Sequence, residues 1–113
     1  MNKKDLLNKI KTSTKLKLIP IHVEDWDDTV YLQSMTVNES LEFGTLGTVR
    51  DERKLIDFIL GKLYTKDGQK LCENDEDKAV FMEVDSDTIL GLSKKVFKIY
   101  LMSDEAVDDA KKN

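Results

Sequence analysis

Nucleophilic catalysis needs a serine, cysteine or threonine beside a positioned imidazole or amine, and this chain carries one histidine, His22, and one cysteine, Cys72. His22 lies in a segment of alternating apolar residues and reads as an ordinary strand histidine. Cys72 follows Leu71 and an Asp-Gly turn signal, with no cationic cluster beside it to lower its pKa, so it reads as a small apolar packing residue. One cysteine also excludes an internal disulfide and any zinc or iron-sulfur cage built on several thiolates. Acidic clusters invite a calcium reading, but an EF-hand loop needs glycine at its sixth position. Loops starting at Asp25, Asp75 and Asp85 place Val30, Val80 and Leu90 there. Gly61 and Lys62 resemble the end of a phosphate loop, yet Ile56 stands where its first glycine belongs. No metal, cofactor or catalytic site is expected.

The residues left with a possible role are apolar and suited to binding. Trp26, flanked by Asp25 and Asp27, is either a partner anchor or a lid over a hairpin. Leu6, Leu7 and Ile10 share one face of a short helix that can lie in a partner's groove. Leu55 and Ile59 belong to the apolar edge of a second helix and complete the candidate contact set.

The elements that must carry these residues follow from spacing. Residues 1–15 form a basic amphipathic helix or arm, and residues 16–113 a single domain. In residues 16–23 the apolar phase shifts at Pro20, which suggests an edge strand or a bulge. Residues 29–35 return as the partner strand of a β-hairpin. Thr36 and Glu39 are spaced as a capping box; the helix they open is expected to be short, with a break at Gly44 and Gly47. A wide apolar stripe of Leu55, Ile56, Ile59, Leu60 and Leu63 predicts a helix over 51–64. Asp67 and Gly68 signal a tight turn. In the acidic stretch 73–87, the apolar group Val80, Phe81, Met82 and Val84 is expected as a short strand or a loop anchor. A helix capped by Asp85 or Ser86 should run to about Met102, burying Ile89, Leu92, Val96, Ile99 and Tyr100. A short polar helix from Ser103 ends the chain. The pattern is α+β: a small single domain with an N-terminal β-hairpin packed against several α-helices.

Charge is segregated along this order. The net charge is −4, but the first 17 residues hold six lysines against Asp5, a local +5 that leaves −9 for the rest. The basic start has no interleaved aromatics and no arginine before Arg50, so nucleic-acid binding is not supported. No segment forms a signal-peptide core or a membrane span, and the expectation is a soluble, intracellular protein.

Several features together resemble the tail assembly chaperones of long-tailed bacteriophages. They are the Lys-rich amphipathic start, the Pro-containing strand and Trp26 turn of residues 19–26, and the strand 30–35 leading to Thr36 and Glu39. The Asp67-Gly68 turn, the run Leu101, Met102, Ser103, Asp104, Glu105 and the terminal Ala110, Lys111, Lys112, Asn113 complete the set. Many members carry glycine soon after the tryptophan and arginine near the end of the second strand, where this chain has Asp27 and Gln33. The resemblance implies a non-enzymatic protein of the bacterial host cytoplasm, absent from the mature virion. It would bind and solubilise the helix-rich tape measure protein and help tail-tube protein assemble around it. It also implies a ribosomal frameshift near the Lys111-Lys112-Asn113 end that yields an extended form. The alternative is an acidic protein-binding inhibitor or nucleic-acid mimic, with carboxylates of 73–87 imitating phosphates.

Overall fold

A computed structural model describes residues 1–13, 15–49 and 51–101. The expected polar helix from Ser103 and the Lys111-Lys112-Asn113 end lie outside the described residues. The architecture is α+β: a three-stranded antiparallel sheet with five helices among the described residues. In chain order these are α1 (Lys3–Ser13), β1 (Leu18–Val23), a 3-10 turn (Glu24–Trp26), β2 (Asp28–Gln33), α2 (Val37–Val49), α3 (Glu52–Leu60), β3 (Leu63–Tyr64), α4 (Asp75–Met82) and α5 (Ser86–Leu101).

The hairpin sets the frame. Leu18 pairs with Gln33 and Val23 with Asp28, in unbroken register through Pro20 opposite Tyr31. There is no bulge; the apparent phase shift arises because Leu16 precedes the strand and Leu18 lies on the face opposite Ile19, Ile21 and Val23. Pro20 does sit on an edge strand, since the sheet order is β1-β2-β3. Ile21, Val23, Val30, Leu32 and Leu63 form the buried side of the sheet, against Ile59 and Leu60 of α3 and Leu92, Val96 and Ile99 of α5. Ile89 and Tyr100, expected to be buried with them, are only half-buried.

The capping box forms as its spacing predicts. The Thr36 backbone N–H donates to Glu39 Oε1 at 3.0 Å, and the Glu39 N–H to Thr36 Oγ1 at 3.1 Å. The helix it opens is not short: α2 runs through Gly44 and Gly47 to Val49. Glycine weakens a helix by about 1 kcal/mol relative to alanine without forbidding it, and here α2 is held by Phe43. That ring is buried among Phe58, Phe97 and Tyr100, with centroids 5.6, 5.1 and 5.2 Å away.

The helix expected over 51–64 stops at Leu60. Asp51 caps its start by accepting the Lys54 N–H, and Gly61 ends it. Leu63 and Tyr64 then continue the apolar pattern as a strand, paired with Leu32 and Tyr31. The Asp67-Gly68 turn is present, with Gly68 at φ +85° and Tyr64 bridged to Lys70 across it. The apolar group at 80–82 lies on a helix rather than a strand or loop. Asn74 accepts the Asp77 N–H, Asp77 accepts the Glu73 N–H, and three carboxylates fill the first turn of α4, where the helix dipole favours negative charge.

Candidate functional site

The site is built around the closed end of the hairpin. After Val23 the chain makes one 3-10 turn, closed by the Asp27 N–H on the Glu24 carbonyl at 3.0 Å. Asp27 takes the left-handed conformation at φ +45°, which aspartate tolerates better than most residues and glycine adopts freely. The turn is fixed from two sides. The Thr88 hydroxyl of α5 donates to the Asp25 carboxylate, and Trp26 meets Phe81 of α4 edge to face at 5.7 Å between centroids.

Between this turn, β2, β3 and α4 lies a groove of about 650 Å³. Trp26, Tyr31, Tyr64, Val80, Phe81 and Val84 give it an aromatic and apolar lining, with Asp28, Asp67 and Lys66 among its charged groups. Its volume falls within the roughly 300–1,000 Å³ of ligand pockets. Such a lining takes up apolar side chains, and the two carboxylates against one lysine favour a ligand with basic flanks.

Trp26 packs as the lid reading expects, and it also borders open space. It is half-buried, packed against the core, and still lines the groove. Leu6, Leu7 and Ile10 lie on α1, and they are 48%, 54% and 53% exposed. Leu55 is half-buried against the core, while Ile59 is 2% exposed and leaves no surface for a partner. The structure thus does not gather the six candidates. Sequence reasoning missed the contributions of Tyr31, Tyr64 and Phe81 to the groove; the signal for Phe81 was the apolar interruption in the acidic stretch.

A second feature is the ammonium of Lys62. It donates to Gln33 Oε1 at 2.7 Å and to the two Glu39 oxygens at 2.9 and 3.0 Å. Burial pushes the Glu39 pKa up, but the Thr36 N–H and the Lys62 ammonium outweigh it and hold the carboxyl below its ordinary value. The Tyr100 hydroxyl donates to the Gln33 carbonyl at 2.8 Å, and burial, with the Glu39 charge, pushes its pKa far up. This network joins α2, β2, α5 and the α3–β3 junction.

His22 is half-buried in β1, and its carbonyl accepts from Lys95 Nζ at 2.8 Å. Cys72 is buried in the core, and its burial, helped by Asp77, raises the thiol pKa. Among the described residues no group of His, Cys, Asp and Glu is arranged to hold a metal ion, and no helix is long and apolar enough to cross a membrane.

Compared with known proteins, the chain matches no family model, no curated protein and no solved structure.

Proposed function

We propose that this chain is a non-enzymatic assembly chaperone of the phage tail type, which covers apolar helical surface on a tape measure protein until tail-tube protein assembles around it. The observation that carries the reading is the groove between Trp26 and Phe81, an aromatic-lined trough at the surface with carboxylates beside it. An amphipathic client helix presents side chains at three- and four-residue steps that such a trough accepts. Two further observations support it. The left-handed Asp27 stands where the resembling family commonly has glycine, and the Thr36–Glu39 box joins the hairpin to α2 as that family's order of features implies. The host cytoplasm is the compartment this role requires.

The acidic-mimic reading rests on the carboxylates of 73–87, of which Asp77 and Asp85 are tied to the local fold by accepting the Glu73 and Asp87 N–H groups.

Co-expression with the tape measure protein of the same phage, followed by pull-down at low and high salt, tests the proposal. A soluble complex that persists at high salt is expected, since apolar contacts are not screened. A client equally insoluble with and without the chain would overturn it, and a complex that dissolves with salt would favour the mimic.

A further inference from the structure

Every residue of α1 from Lys3 to Thr12 is exposed, although the helix carries an apolar stripe of Leu6, Leu7 and Ile10. An 11-residue helix is marginal in water without a surface to pack on. Its capping is local: Asn2 Oδ1 accepts the Asp5 N–H at 2.9 Å. Around the stripe stand Lys3, Lys4, Lys9 and Lys11 against Asp5 alone.

The groove at Trp26 has the opposite character. Asp28 and Asp67 line it against the single cation Lys66, Asp25 and Asp27 flank Trp26 in the turn, and Glu83 and Asp85 flank Val84. Val80 on its rim is 66% exposed. One element is apolar with a basic surround, the other apolar with an acidic one.

Within one chain the two stand apart. Lys17 is anchored to Ser34 by its N–H on Ser34 Oγ at 2.7 Å and by the Ser34 N–H on its carbonyl at 2.8 Å. That places the entry from α1 at the open end of the hairpin, a six-residue strand, or about 20 Å, from the Trp26 turn at the closed end.

From this juxtaposition we propose that α1 of one copy docks in the Trp26–Phe81 groove of a second copy, with Leu6 and Leu7 against the aromatic lining and the lysines toward the acidic rim. Each copy carries both halves of the contact, so a reciprocal two-fold dimer satisfies both grooves. A client helix that uses the groove must then displace α1, and the helix acts as a resident cover that limits aggregation before the client arrives. The inference rests on the groove being a binding surface, as the function above requires.

The test uses the full chain in sedimentation velocity from micromolar to hundreds of micromolar, with fluorescence of the single tryptophan, Trp26, followed in parallel. Wild type should dimerise with a blue shift of emission as concentration rises. The double variant Leu6→Asp, Leu7→Asp and the single variant Val80→Asp should each associate at least about tenfold more weakly, with the thermal transition of the core unchanged because all three sites are exposed. An equimolar mixture of the two variants should associate more strongly than either variant alone and less than wild type, since the mixed dimer restores one of the two reciprocal contacts. A wild type that stays monomeric throughout overturns the proposal, as does either variant that dimerises like wild type or a mixture that associates no better than the separate variants. These results separate from those on the client. Dimerisation without client solubilisation removes the chaperone reading alone, and solubilisation by a strictly monomeric chain removes only the docking of α1.

Discussion

Lys62 is 4% exposed, a depth at which an ammonium is tolerated only when protein groups replace its water. Its counter-charge, Glu39, is more accessible, with a side chain 31% exposed. The two are therefore unequal on removal. Glu39→Gln leaves a buried cation without its anion and weakens the capping box, and should cost about 3 kcal/mol. Lys62→Met leaves a carboxylate that water can reach, and should cost less in the same urea titration at neutral pH. The pH dependence follows from the lowered Glu39 pKa: its contribution is complete above the unfolded value near 4.5 and is lost as pH falls through the lower folded value. The stability gap between wild type and Glu39→Gln should thus narrow as pH falls below the unfolded value near 4.5, and a constant gap would separate the carboxylate from acid sensitivity. Local chemistry at this scale was legible: Thr36 and Glu39 declare their box three residues apart. The ammonium's role was not, because Gln33 and Glu39 lie 29 and 23 residues from it and Gly61-Lys62 carries no sign of burial.

At the scale of elements, α2 is the helix least favoured by its own composition. Its only buried residue is Phe43, and it contains Gly44 and Gly47, beside which an added Cβ would meet nothing within 4 Å. Neither glycine has a positive φ, so alanine fits both the space and the backbone. Gly44→Ala and Gly47→Ala should each stabilise the protein by about 0.5–1 kcal/mol, read as a higher denaturation midpoint. If they do not, the helical backbone at these positions is not limiting. The same helix shows why propensity misled. A break at the glycines follows from residue preferences, but a cap at one end and an aromatic cluster in the middle override it. The stripe over 51–64 erred in the other direction: Leu63 fits helical spacing and strand pairing alike, and its pairing with Leu32 prevails over the helix. In α4, the apolar group expected as a short strand or a loop anchor is helical, and the carboxylates before it are first-turn residues suited to the helix dipole. The period of α5 runs through to a buried face and made it legible, and the hairpin was legible despite the apparent phase shift at Pro20 that hid the unbroken register of β1.

For the whole molecule, the hairpin turn is where the core meets the groove, and Trp26 belongs to both. The groove was not legible, because it needs Tyr31, Tyr64 and Phe81 from three separate elements, whereas Trp26 alone announced itself. Its dual position makes Trp26→Ala a mixed probe. Losing the buried part of the tryptophan ring should cost about 3 kcal/mol, a fall of several degrees in Tm for a domain of this size. Val80 shares the groove but stands at its exposed rim, so Val80→Asp should leave stability within about 0.5 kcal/mol of wild type. Chaperone action at the groove demands that both variants lose client solubilisation even though only Trp26→Ala lowers Tm. If activity instead follows Tm, lost in Trp26→Ala and kept in Val80→Asp, then Trp26 acts as a lid on the core and the client contact lies on another face. Co-expression with the tape measure protein and thermal melts of the two purified variants distinguish these outcomes directly, because an unfolded fraction and a blocked groove predict opposite orders for Val80→Asp.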